Sequence, residues 1–322
     1  MAKKREEPNG QMMNLLPALG RLEDIDGVCM RLHLEFEESF DLDWTHLLRL
    51  RREAYQVGRQ LLESSDGMMR EGLSELLFPA APADPRMRRL APVTPVPFIL
   101  QLDSAQSVKL EPGDVLPLDF LLVGRGRHFA QAFACLFRDL GRRGLFNGQG
   151  HFTLDRVDAV GIDGAAIPIW HTGAAWREPE WPLHQLWPEE ISMRPCTLTF
   201  ITPARILARG KPLFRPGLKH LVPVMVRRVS SLVHAWCGVD LLADPQALLA
   251  ELPATDIRGT LRWQDWRRLE GDHTSQDLGG VVGSVDIPRE WLEVAGPFIH
   301  LCRQFNFGKG AAFGAGSFIL NR

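Results

Sequence analysis

Two groups of residues in this chain have the types and spacing to do chemistry. The first runs from Phe305 to Leu320 and holds Gly308, Gly310, Gly314 and Gly316 within nine positions, with Lys309 among them and phenylalanines on both sides. Glycine admits positive φ and carries no side chain to keep a partner away, so successive backbone N–H groups there can converge on an anion. The second is His46 with Arg49 and Arg52, all on the polar face of the amphipathic segment 44–62. Imidazole changes charge near neutral pH and can move a proton. A guanidinium one or two turns away can stabilise charge that builds on phosphate oxygens. Each group also has a plainer reading: a glycine-rich turn before a closing strand, and a solvated helix face.

The elements that must position these residues are legible in order. Val28, Met30, Leu32, Leu34 and Phe36 alternate with polar residues and predict a strand over 28–36. Asp41 or Asp43 can cap the helix that follows, with Leu47, Leu48, Tyr55, Leu61 and Leu62 on its apolar face. Residues 63–95 carry five prolines and the cluster Arg86, Arg88, Arg89, which predicts an irregular insertion with at most a short helix near Leu73–Leu77. Strands at 97–100 and 118–124, a helix at 129–140 stopped by Gly141, and a strand at 151–157 complete the succession β, α, β, β, α, β. Residues 161–194, with Trp170, Trp176, Trp181 and Trp187 and several prolines, read as the crossing between two domains, the tryptophans packing the linker onto the core. The second half repeats the order: a strand at 196–201, a helix at 218–236, strands at 260–266 and 279–285, a helix at 288–305 that Gly296-Pro297 breaks or bends, and a last strand at 318–320. The expected division is an N-terminal domain over 1–190 and a C-terminal domain over 191–322. Because a helix precedes the glycine run and a strand follows it, the run differs from nucleotide-binding loops, which follow a strand and open a helix.

Composition sets outer bounds. The 322 residues are 45% hydrophobic and 24% charged, as expected for a globular chain with a real core. A net charge of -2 gives no global basic excess, yet only six of the 37 basic residues are lysine and the other 31 are arginine, whose planar fork suits phosphate. Five scattered cysteines without a C-x-x-C pair argue against a zinc ribbon or disulfide framework. With no signal-peptide pattern and no apolar run of membrane-spanning length, a cytoplasmic location is expected.

Several segments together resemble the CRISPR-associated endoribonucleases that process precursor CRISPR RNA, members of the RAMP superfamily. They are the glycine-rich tail, the "PFIL … PGD … LLVG" succession from Pro97 to Gly124, the turn Thr202-Pro203, the pair Arg227-Arg228, and "WQDWRR … GGVVG" from Trp263 to Gly283. The resemblance covers residues 95–160 and 195–320. It implies an α+β chain of tandem ferredoxin-like domains that binds CRISPR repeat RNA and cuts it without a metal, leaving a 2′,3′-cyclic phosphate and a 5′-hydroxyl. No cofactor is implied. RNA contacts are then expected from Asn306, Gly308, Lys309, Gly310, Gly314 and Gly316, with Arg205, Arg227, Arg228, Arg267 and Arg268. His46 falls where several relatives place a catalytic histidine, with Arg49 and Arg52 beside it; His33, His151, His273 and His300 are the other candidates. In one branch of the family the region around 63–95 holds clustered cysteines, which this chain lacks. Relatives also often show a histidine where this chain has Asn306. That departure admits an alternative, an inactive RNA-binding subunit of a CRISPR effector complex; a third reading is a nucleotide-binding α+β protein using the loop for phosphate.

Overall fold

Alternation of apolar and polar residues makes strand β1 (Asp26–Phe36), whose Val28, Met30, Leu32, Leu34 and Phe36 are all buried. The structure is a computed structural model that describes residues 22–102, 107–177, 179–187, 191–208, 210–242, 244–265 and 279–321. A short β2 (Phe40–Leu42) leads into helix α1 (Trp44–Ser64). The stretch expected to be irregular holds the short helix expected near Leu73–Leu77, longer than foreseen, as α2 (Gly67–Leu77), and a second that was not foreseen, α3 (Pro85–Leu90). Its prolines mislead because Pro85 occupies the first helical turn, where a missing N–H costs nothing, and Asp84 caps it by accepting from the Arg86 N–H.

Strands β3 (Phe98–Gln101), β4 (Val108–Leu110) and β5 (Val115–Val123) follow, and β4 pairs with β2 in a separate ribbon. Helix α4 (Ala130–Arg143) passes through the expected stop at Gly141 and ends at Gly144. Gly141 serves close packing instead: a Cβ there would stand 2.0 Å from the Phe152 carbonyl oxygen on β6 (Phe152–Val160). Part of the expected crossing is also regular. β7 (Ala166–His171) pairs with β6, and β8 (His184–Gln185) pairs with the start of β1. The resulting six-stranded sheet runs β3-β5-β1-β6-β7 with β8 on β1 and every pair antiparallel, which is the ferredoxin-like order with two strands, β7 and β8, added.

The second half repeats this plan from β9 (Cys196–Phe200), the hairpin β10 (Leu207–Ala208) and β11 (Lys211–Pro212), and the long helix α5 (Leu218–Cys237), which accommodates Pro223 in its second turn. After the short α6 (Pro245–Ala250) come β12 (Arg262–Asp265), β13 (Gly279–Val282) and β14 (Ser284–Ile287). One expected strand is thus two, divided at Gly283: β13 pairs with β12, while β14 pairs with β9. Helix α7 (Arg289–Phe305) runs through Gly296-Pro297 without the expected break, and β15 (Phe318–Asn321) pairs with the free side of β9.

Two apolar cores result. The first joins the inner face of the N-terminal sheet to α1, α2 and α4, through Leu50, Val57, Leu73, Leu77, Phe133 and Phe137 among others. The second surrounds α5 and α7, and it also takes Ile25, Ile99, Leu121, Val123 and Leu186 from the N-terminal half. The N-terminal sheet is therefore buried on both faces at one end. As expected, Trp170, Trp176 and Trp181 pack against the first core, and Trp187 against the second. No helix among the described residues is long and apolar enough to cross a membrane.

Candidate active site

The glycine-rich loop leaves the end of α7 and turns inward. Asn306 takes a positive φ of 50° and is 1% exposed; its amide donates to the Leu100 and Ala311 carbonyls, each at 3.2 Å. Phe307 packs against Phe200 and Phe318. Ala312 and Phe313 enter the other core, with the Phe313 ring edge-on to Phe98 at 5.2 Å and tilted against Tyr55 of α1 at 6.3 Å. The chain crosses itself at Gly316, whose φ is +70° and where a Cβ would stand 1.9 Å from the Phe307 carbonyl oxygen.

Most of the loop's amides are already committed. Lys309 N–H donates to the Arg205 carbonyl at 2.9 Å, Gly316 N–H to Pro203 at 3.1 Å, and Ser317 N–H to the Thr202 hydroxyl at 2.9 Å. That hydroxyl in turn donates to the Gly314 carbonyl at 2.6 Å. Phe307, Ala311, Phe313, Gly314 and Ala315 bond within the loop. Among the described bonds, the amides of Gly308 and Gly310 have no acceptor, and they flank the exposed Lys309. The converging anion cradle expected of the whole run is thus confined to three residues.

The expected arginines separate. Arg227 is exposed on α5, whereas its neighbour Arg228 turns inward and donates through Nε and Nη2 to the Phe305 carbonyl at 3.4 and 3.3 Å, at the C-terminal end of α7. Burial pulls its guanidinium down to about 10. Arg205 holds Lys309 through its carbonyl and is partly buried. Arg267, Arg268 and His273 lie outside the described residues.

His46 stands in the first turn of α1. The Asp43 carboxylate, just before the helix, accepts from the His46 backbone N–H at 3.1 Å, and the Asp43 backbone N–H points at His46 Nδ1 at 3.2 Å. The same carboxylate oxygen is 3.1 Å from Nδ1. The ring is 21% exposed and sits edge-on between Phe40 of β2 at 5.1 Å and Phe146 at 5.0 Å. Arg49 lies over the other part of that Phe146 ring, its Cζ 5.0 Å from the centroid, and Arg52 is exposed. Phe40 and Phe146 were not foreseen: Phe146 lies 100 residues from His46, and no local pattern announces the contact. Asp43 left a signal, as one of two possible helix caps.

The other histidines are engaged elsewhere. His33 Nε2 lies 2.8 Å from the buried Asp158 carboxylate and 3.2 Å from Arg156 Nη2. His151 Nδ1 is 3.0 Å from Glu38, whose carboxyl is held below its usual range chiefly by the His151 backbone N–H. His300 is partly buried in α7, and burial holds it below its ordinary value. Tyr55 packs against Phe78 and Phe313, as its apolar setting suggested. Among the described residues no group of three or more His, Cys, Asp and Glu side chains forms a metal-binding set.

His46 and the loop share one helix. Phe313 touches α1 at Tyr55, nine residues beyond His46, which at 1.5 Å per residue is about 14 Å along the axis.

Comparison with known proteins finds two stretches of similarity. Residues 198–318 match the family model of the CRISPR-associated endoribonuclease Cas6, and residues 69–181 match a model described as an N-terminal domain. No curated protein matches the chain. Among solved structures, a partial Cas6-RT-Cas1–Cas2 complex is 12% identical over 92% of this chain and 46% of that one, with a TM-score of 0.50. Cas6 from Thermus thermophilus is 16% identical over 92% of this chain and 98% of its own, with a TM-score of 0.45. A Cas6-related protein of Pyrococcus furiosus is 9% identical over 91% and 98%, with a TM-score of 0.40. At such identities only the fold is shared, and the first of these carries it. Over residues 198–318 the chain is similar to the CRISPR-associated endoribonuclease Cas6 family.

Proposed function

We propose that this chain binds CRISPR repeat RNA and cuts precursor CRISPR RNA by a metal-independent attack of a 2′-hydroxyl on the adjacent phosphorus. The products are a 2′,3′-cyclic phosphate and a 5′-hydroxyl. The observation that carries this reading is the family match over residues 198–318, joined to a partly exposed histidine held by aromatic rings at the head of α1. In this reading His46 takes the 2′-hydroxyl proton, and Arg49 and Arg52 offset charge on the phosphorus oxygens. RNA phosphate meets Lys309 and the amides of Gly308 and Gly310, with Arg205, Arg227, Arg267 and Arg268 in support. Asn306, Gly314, Gly316 and Arg228 act one step back, by holding the loop in place.

A second reading is an RNA-holding subunit of a CRISPR effector complex without catalysis. It is favoured by the Asp43 N–H pointing at His46 Nδ1, an arrangement a helix-capping histidine would also adopt. The deciding experiment uses labelled repeat RNA in excess EDTA, with wild type beside His46→Ala and with a matched RNA carrying a single 2′-deoxy substitution at the cut site. Cutting that disappears with the variant and with the 2′-deoxy RNA supports the proposal. Tight binding without cutting by the wild type favours the holding subunit, and binding of mononucleotides in preference to repeat RNA favours the nucleotide-binding reading.

A further inference from the structure

We infer that Asp43 is a positioning residue for His46: its carboxylate holds the proton on Nδ1 and leaves Nε2 as the atom that reacts. The inference rests on the reading of His46 as the base.

Nδ1 has two neighbours of opposite character on the same residue, the Asp43 N–H at 3.2 Å and Asp43 Oδ1 at 3.1 Å. A neutral imidazole carries one ring proton, so only one of these contacts can be a hydrogen bond at a time. When the backbone N–H is the partner, Nδ1 accepts, the proton sits on Nε2, and Nε2 can only donate. When the carboxylate is the partner, Nδ1–H donates to Oδ1 and the Nε2 lone pair is left to accept a proton. A hydrogen bond to an ionised acceptor is roughly twice as strong as one between neutral groups, which favours the second arrangement.

The helix adds a further reason. His46 lies in the first turn of α1, where N–H groups without intrahelical acceptors carry partial positive charge and favour a neighbouring carboxylate such as that of Asp43. Among the described contacts, the ring meets the Asp43 carboxylate, Phe40 of β2 and Phe146 after α4, and the Arg49 guanidinium lies over that Phe146 ring. In the reaction the 2′-hydroxyl proton passes to Nε2 as the O2′–P bond forms. The P–O5′ bond then breaks with its electron pair on O5′, which takes a proton from water.

The test compares wild type with Asp43→Ser and Asp43→Asn, both of which keep a good helix cap while removing the charge. Asp84→Ser, at the cap of α3, controls for capping in general. For Asp43→Ser the single-turnover rate on repeat RNA is expected to fall about 100-fold, within the range that a well-placed base contributes, with KM within about twofold of wild type. Asp84→Ser is expected to cut at the wild-type rate. Imidazole 15N NMR of the full chain should place the ring proton on Nδ1 in wild type and on Nε2 in Asp43→Ser. Wild-type cutting by both Asp43 variants overturns the inference while His46→Ala remains inactive, and so does a ring proton on Nε2 in wild type. Cutting retained by His46→Ala removes the reading beneath it, and the inference with it.

Discussion

The head of α1 and the glycine-rich loop are about 14 Å apart along one helix, and they use their residues differently. At the head of α1 a single capping aspartate and two phenylalanine rings hold an imidazole that still reaches solvent. In the loop Asn306, Phe307, Ala311, Phe313 and Ser317 are all buried, and most backbone donors are spent on the protein itself. Glycine allows close approach, but the approach can be of chain to chain as well as of chain to ligand. Here Gly316 lets the loop cross its own stem, and the amides without a described acceptor narrow to the two that flank Lys309. The more conspicuous motif is largely architecture, and the less conspicuous histidine keeps part of its ring at the surface.

That contrast can be broken or sharpened by mutation. The largest effect is expected from His46→Ala, which should lower the cleavage rate by about 1000-fold with little change in unfolding midpoint. A variant that cuts normally, or that unfolds, would erase the distinction. Phe313→Ala should do the reverse. Loss of a buried phenylalanine costs about 3–5 kcal/mol, read as a lower midpoint in urea, and because the ring belongs to the first core the N-terminal helices should report the change. A midpoint equal to wild type would mean the loop is not the wedge described. Lys309→Ala is expected to be milder: unaltered stability, weaker RNA binding, and a slope of log affinity against log salt smaller by about one.

The smallest effect concerns His300 in α7, the helix that delivers the loop. Burial lowers its pKa, the Ser192 backbone opposing, so the folded protein holds it neutral. Its contribution to stability is therefore present above about pH 6.5, the ordinary histidine value, and is lost as pH falls through the lowered folded value. His300→Phe should flatten the fall in melting temperature between pH 7.5 and 5. An unchanged slope would show that His300 does not contribute to it.

Much of the fold was legible because its signals are local. Alternation in Val28–Phe36 and helical spacing in Leu218–Trp236 identify elements directly, and the two βαββαβ successions emerge in their full order. Where reading failed, one residue type served two purposes. Pro85 starts a helix instead of breaking one, and Gly141 admits a strand against a helix instead of ending it. The crossing hid β7 because its burial pattern is mostly exposed, as suits an edge strand. Of the candidate site, the His46 face could be read from helical periodicity. The turn carrying Phe146 could not, since the contact exists only once α4 and β6 are in place. Nor could the burial of Asn306, a polar side chain whose partners, Leu100 and Ala311, depend on both halves of the chain.

Phe313 has a consequence for synthesis. The N-terminal core contains a ring that is translated nearly two hundred positions after most of that core, so the first half cannot reach its final packing while it is the only part made. In the folded chain that ring lies between Tyr55 and Phe98. A nascent chain halted before residue 313 would hold an incomplete first core, and completion of that core coincides with arrival of the segment bearing Lys309. The order in which the ribosome delivers the parts thus links maturation of the histidine-bearing half to production of the glycine-rich loop.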